Sequence, residues 1–196
     1  MKVAVIQIKA GSNKNENVGK ALEFVQSAIK KNAEFIILPE IFNFRGRISQ
    51  KENRSIAEHI PGESILPFQG IARGSNVYIL AGSIYEQVES SRKSYNTSIL
   101  INNKGRIQAT YRKIHLFDAV INKRAIKESR SFLRGDQIAV TSVKEFKVGL
   151  SICYDLRFPE LYNMCTVKGA SVFCIPSCFT KQTGQAHWEI LLRARA

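Results

Sequence analysis

Val148-Gly149-Leu150-Ser151-Ile152-Cys153-Tyr154-Asp155-Leu156-Arg157-Phe158-Pro159-Glu160-Leu161 is the stretch on which the reading of this chain turns. The apolar run from Phe146 to Ile152 reads as a buried strand. Pro159 suits the first turn of a helix, which should run to about Lys168 and stop at Gly169. A second buried strand, Ser171 to Ile175, then returns. A thiol at a strand-to-helix turn is held exposed. Backbone N–H groups point at whatever it attacks, and a helix N-terminus favours the thiolate. The other reading, a small cysteine packed as a hydrophobe, has equal weight on this stretch alone.

Outward from there, Val3 to Ile8 reads as a buried strand, and Gly11-Ser12-Asn13 breaks it. Val18, Leu22, Val25 and Ile29 then recur at helical spacing, and Phe35 to Leu38 is a second apolar run ending at Pro39-Glu40. This is a β-α-β unit. An amphipathic segment near Phe68 to Arg73 leads into the strand Val77 to Ala81. Tyr95 to Ile101 and Arg106 to Tyr111 flank the turn Asn102-Asn103-Lys104-Gly105, a hairpin that makes the sheet mixed. Leu116 to Gly135 reads as a long charged connection, and His187 to Ala196 is helical in composition. The sum is an α/β sandwich.

The 196 residues suit one domain, and 44% hydrophobic with 23% charged residues is an ordinary globular balance. No apolar stretch approaches the ~20 residues of a membrane span. The run after Met1 is too short for a secretory signal, so a cytoplasmic protein is expected. Cys153, Cys165, Cys174 and Cys178 show neither a disulfide framework nor zinc-ligand spacing, which points to reduced thiols and no metal. Lys and Arg outnumber Asp and Glu by 29 to 16, for a formal charge of +13. Nine of these basic residues, Lys123 among them, fall between Lys104 and Arg134, against two acidic ones. Nucleic-acid motifs are missing from this stretch, so a solvated basic face or steering of an anionic substrate explains it better.

Two further places carry chemistry. Leu38-Pro39-Glu40 sets a carboxylate at the end of a strand, where catalytic groups collect in α/β sheets. Arg112-Lys113-Ile114-His115-Leu116-Phe117-Asp118 sets an amine at the end of the hairpin. Each has a bland alternative, a helix-start acceptor for Glu40 and a surface cation for Lys113. In order, Glu40, Lys113 and Cys153 with their flanking residues resemble the three signatures of the nitrilase superfamily of carbon–nitrogen hydrolases. Ile175 to Thr180, Thr183-Gly184 and Ala186 to Ala196 look like its amidase branch. The nearest likeness is to enzymes hydrolysing deaminated glutathione, with ω-amidases close behind.

That resemblance implies a four-layer α-β-β-α sandwich with mixed sheets. It also implies a single domain over residues 1–196 that is C-terminally incomplete, because related enzymes continue past Leu-Leu-Arg-Ala-Arg-Ala. It gives Cys153 the role of nucleophile and Glu40 that of general base. Lys113 and the Tyr154 backbone N–H become oxyanion donors, with Glu128 as a supporting carboxylate and no cofactor. Arg157, Phe179 and Thr183 are implied to line the substrate pocket, Arg157 gripping a carboxylate. The expected substrate is a small anionic amide and the expected assembly a homodimer packed through the helices after Cys153 and at the chain end. The family usually carries proline and glycine after His-Leu-Phe-Asp, whereas Ala119 to Lys127 has neither. Carbamoylase or nitrilase activity, and a non-catalytic remnant or binding protein of the same fold, are the alternatives. Cys153 with His115 or His187 and Asp118 would also supply a papain-like set, which strand context and order disfavour.

Overall fold

The computed structural model describes residues 1–46, 50–121 and 124–196. Among them, β1 (Val3–Val5), β2 (Phe35–Ile37), β3 (Tyr78–Glu86), β4 (Tyr95–Ile101) and β5 (Ile107–Arg112) form a five-stranded sheet in that order. β1, β2 and β3 are parallel, and β3, β4 and β5 antiparallel. A second sheet has the order β10 (Val172–Cys174), β9 (Phe146–Leu150), β8 (Ala139–Val143). The two-stranded β6 (Asp118–Ile121) and β7 (Arg124–Lys127) stand apart. Five helices complete the described fold: α1 (Lys14–Lys30), α2 (Gln50–Ile56), α3 (Leu66–Ser75), α4 (Pro159–Val167) and α5 (Lys181–Arg195).

The alternation of strand side chains builds the layers. Ile36, Ile79, Ala81, Ile99 and Ile101 face one way and pack with Ala21, Val25 and Ala28 of α1 and Phe68 and Ala72 of α3. Phe35, Leu80, Leu100 and Tyr111 face the other way, against Val148 and Leu150 of the second sheet and Leu161, Tyr162 and Cys165 of α4. Both faces of the central strands are therefore buried, which is why they read as continuous apolar runs. The result is the predicted α-β-β-α sandwich with mixed sheets.

Local chemistry sets the boundaries. Asn13 accepts from the Glu16 N–H at 3.3 Å and starts α1. Asn102 Oδ1 accepts from the N–H groups of Lys104 and Arg106, closing the β4–β5 turn. Pro159 opens α4, and Gly169, at φ +89°, follows its end as the sequence predicts.

Four expectations change. β1 is an edge strand rather than a buried one. Ala4 and Ile6 face the α1 layer, but Val3 and Val5 are 45% and 79% exposed, Val5 lining an open groove beside β10 and α5. The charged 116–135 connection contains the β6–β7 hairpin, which lies outside both larger sheets; Lys123 lies outside the described residues. β8 and α2 are additional elements. α5 starts six residues before His187, capped by the Thr180 hydroxyl, which accepts from the Thr183 N–H.

Candidate active site at three strand ends

Glu40, Lys113 and Cys153 each lie just beyond the last residue of β2, β5 and β9, so three strand ends converge on one chamber of about 200 Å³. Its lining includes all three together with Glu128, Arg45, Tyr85, Phe117 and Cys178. Lys113 Nζ sits 2.9 Å from Glu40 and 2.9 Å from Glu128, and its side chain is 2% exposed. Asn96 Nδ2 donates to the same two carboxylates at 3.0 and 3.4 Å. The Lys113 backbone is fixed as well: its N–H donates to Asn96 O and its carbonyl accepts from Gly135 N–H, both at 2.9 Å.

The hairpin without proline or glycine still delivers Glu128. β6 and β7 pair Asp118 with Lys127, which returns the chain beside its starting point. The Glu128 carboxylate accepts from Phe117 N–H at 2.6 Å, and the Glu128 N–H donates to Phe117 O.

Two residues of the chamber hold left-handed backbone, Ile41 at φ +49° and Cys153 at φ +49°. For a residue with a Cβ this costs about 1–2 kcal/mol, and more for a branched one. Neighbouring contacts enforce it. Ile41 N–H donates to Ser83 Oγ at 2.9 Å, while Gly82 lets β3 approach so closely that a Cβ there would lie 1.9 Å from Pro39 O. Cys153 N–H donates to Pro176 O at 2.9 Å. Asp155 is completely buried and fastens this turn to the end of β5. Its carboxylate accepts from Ile152 N–H, Tyr111 OH and His115 N–H at 2.9, 2.7 and 2.9 Å, and lies 2.8 Å from His115 Nδ1. The His115 ring is stacked on Phe158 at 3.6 Å. His115 thus braces the turn, and Asp118 is occupied by Ser129.

Electrostatics give the resting protonation. Burial would raise the Glu40 pKa, but Lys113 and Arg45 hold it below its ordinary 4.5. Burial opposes the Lys113 charge, but Glu40 and Glu128 raise its pKa above 10.5. Burial and then Glu40 push the Cys153 thiol well above its usual range, with Lys113 only partly offsetting them. The expected stabilisation of a thiolate by the following helix is overturned. The five residues from Cys153 form a 3-10 turn, α4 begins only at Pro159, and burial followed by the adjacent carboxylate keeps the thiol protonated. These directions leave Cys153 as thiol, Glu40 as carboxylate and Lys113 as ammonium, all lining the same chamber. A proton can move from Cys153 to Glu40 as the sulfur attacks.

A second cavity of about 180 Å³ meets the chamber at Cys153, and the two share Arg45, Phe117, Ile126 and Cys178 in their linings. Tyr154, Arg157, Phe179 and Thr183 all line it. Arg157 lies 5.7 Å from the Tyr154 ring centre and 6.0 Å from that of Phe179, and its guanidinium is 3.1 Å from His187 Nδ1. Sequence reasoning missed Asn96, Asp155 as a brace, and Arg45. Asn96 could have been suspected as a polar residue starting an apolar strand; Arg45 had no signal beyond following Glu40 by five residues.

A family model described as carbon-nitrogen hydrolase matches residues 2–196. The chain is 40% identical over 196 residues to nitrilase homolog 2 of Dictyostelium discoideum, covering 100% of this chain and 59% of that protein. It is 37% identical over 202 residues to deaminated glutathione amidase of the same organism, covering 100% of this chain and 69% of that protein. It is 38% identical over 196 residues to omega-amidase NIT2 of Homo sapiens, covering 100% and 70%. The crystal structure of the C. elegans NitFhit protein superposes with a TM-score of 0.90 at 34% identity, over 98% of this chain and 47% of that one.

Proposed function

We propose, from the premise that this chain belongs to the carbon-nitrogen hydrolase family, that it hydrolyses the amide bond of a small carboxylate-bearing substrate through a thioester on Cys153. The observation that carries this reading is Lys113 Nζ bridging Glu40 and Glu128 at 2.9 Å each in a chamber that Cys153 also lines.

Glu40 takes the thiol proton as sulfur adds to the amide carbonyl. The Lys113 ammonium and the Tyr154 backbone N–H receive the oxyanion, a contribution of about 3–4 kcal/mol per donor. Collapse breaks the C–N bond, and Glu40 passes its proton to the departing amine. Glu40 then removes a proton from water, which attacks the thioester and restores the thiol. The balance is amide plus water to acid plus amine, and it calls for no cofactor. Glu128 and Asn96 hold Lys113 and Glu40 in place. Arg157, with Phe179 and Thr183, grips the acyl carboxylate.

The substrate class draws on the deaminated glutathione amidase and omega-amidase relatives and on the cationic outer cavity. We read residues 1–196 as one domain, working in the cytoplasm as a homodimer through α4 and α5. Exposed Met164 and Val167 on α4 and Ile190 on α5 support that pairing, which sedimentation tests: a stable monomer removes it.

The chemistry is tested by intact-mass analysis after incubation with deaminated glutathione or 2-oxoglutaramate. The expected result is one acyl adduct on Cys153, lost in Lys113→Ala. Activity that survives Glu40→Gln but is abolished by His115→Ala would overturn the assignment.

A further inference from the structure

We propose that Arg45 is a specificity-determining residue that receives a carboxylate carried by the departing amine. The preferred substrate is then an amide joining a carboxylate-bearing acyl group to an amino acid, rather than a primary amide. This rests on the amidase reading above.

Arg45 is fixed by its backbone N–H, which donates to Gly11 O at 2.7 Å. Its guanidinium lies 4.0 Å from Glu40 Oε2, beyond hydrogen-bond length, and is 43% exposed, so it balances Glu40 without being consumed by it. Arg45 lines both cavities, whereas Arg157 lines the outer one alone. The outer lining holds these two guanidinium groups and no Asp or Glu. Two cations facing a space without a counter-charge fit a substrate with two negative charges.

Position assigns the charges. Arg157 lies against Tyr154 and Phe179 in the outer cavity, where the acyl carboxylate is proposed to sit. Arg45 lies beside Glu40, the group from which the leaving nitrogen takes its proton. An α-carboxylate two bonds from that nitrogen therefore falls toward Arg45. Lys127 also lines the inner chamber but not the outer cavity, and a single ammonium lacks the planar fork that binds a carboxylate bidentately. If Arg45 served only to keep Glu40 ionised, it would act equally on every amide.

The discriminating pair is N-succinylglycine and N-isobutylsuccinamic acid, which share an acyl group and match in leaving-group size but differ by one carboxylate. The wild type is expected to favour N-succinylglycine in kcat/KM by roughly tenfold or more, the scale of a charge-assisted hydrogen bond. Arg45→Met should bring the ratio close to one, and Arg45→Lys should leave an intermediate ratio. Arg45→Lys carries the test if Arg45→Met does not fold. The same ratio is measured as equilibrium affinity in a Cys153→Ser background, with and without Arg45→Met. A wild-type ratio near one, or an equal fall for both compounds in Arg45→Met, overturns the proposal. If neither compound is cleaved but binding retains an Arg45-dependent preference, the amidase reading fails and the role of Arg45 stands. If binding shows no such preference, the role of Arg45 fails independently.

Discussion

On the inner side of Cys153, Glu40 and Glu128 are each bound by both Lys113 and Asn96, and the Lys113 and Glu40 side chains are 2% and 5% exposed. On the outer side, Arg157 meets two aromatic rings and a histidine, and Phe179 packs edge-on against Trp188 of α5 at 5.1 Å. Glu40, Lys113 and Asn96 come from strands of the five-stranded sheet or their ends, with Glu128 tied to them from the small hairpin, while the outer groups come from a turn and the start of a helix. The proposed bond-making groups are thus over-determined and the proposed substrate grip is lightly held. Changes on the inner side should affect folding and catalysis together; changes on the outer side should alter substrate preference alone.

The most severe way to break the contrast is Lys113→Met, which removes the shared cation from the buried Glu40 and the partly buried Glu128. It should cost about 3–5 kcal/mol of stability, measured by urea denaturation, with activity falling by about a hundredfold or more. A loss below about 1 kcal/mol would mean that the chamber is wetter than its burial implies.

Acid breaks the same contact less completely. With its pKa held below 4.5, Glu40 contributes stability that is present above that value and lost as pH falls through its folded pKa. Lys113, raised above 10.5, contributes stability that is present below that value and lost as pH rises through its folded pKa. Between about pH 4.5 and 10.5 both contributions are present. The stability difference between wild type and Glu40→Gln, followed by urea denaturation against pH, should be flat across this window and shrink below it.

Asp155→Asn probes the brace shared by both sides. An amide nitrogen would face donors that now meet a carboxylate oxygen, at a cost of about 2–3 kcal/mol. The fall in kcat should exceed the rise in KM, because the turn that carries Cys153 moves; an unchanged kcat would remove Asp155 as a positioning residue.

Arg157→Met should do least to the fold, within about 0.5 kcal/mol, while raising KM for carboxylate-bearing amides roughly tenfold. A large loss of stability would show that the outer cavity is as tightly built as the chamber.

The same contrast explains what the sequence made legible. Phe35 to Leu38 and Phe146 to Ile152 announced themselves because strands buried on both faces cannot hide their apolar runs, and Glu40 and Cys153 stand where those runs stop. Asp118 to Lys127 was opaque: a short hairpin outside both sheets has no buried face to pattern its residues. Val3 and Val5 misled because an apolar side chain reads identically whether the neighbouring layer covers it or not. Asp155 stood in plain view two residues after Cys153, but its partners Tyr111 and His115 lie 44 and 40 residues away and only folding joins them.

Ile41 bears on how this protein could be engineered. Its left-handed backbone beside Glu40 stores strain that glycine or asparagine would release. Relief of about 1–2 kcal/mol of strain would nevertheless be outweighed by emptying a side-chain site that is only 4% exposed, at about 2–5 kcal/mol. Such a variant would lose stability and the aim of the Glu40 carboxylate together. Stability-guided libraries should hold Ile41 fixed and seek their gains on α1 or α3, across the sheet from the chamber.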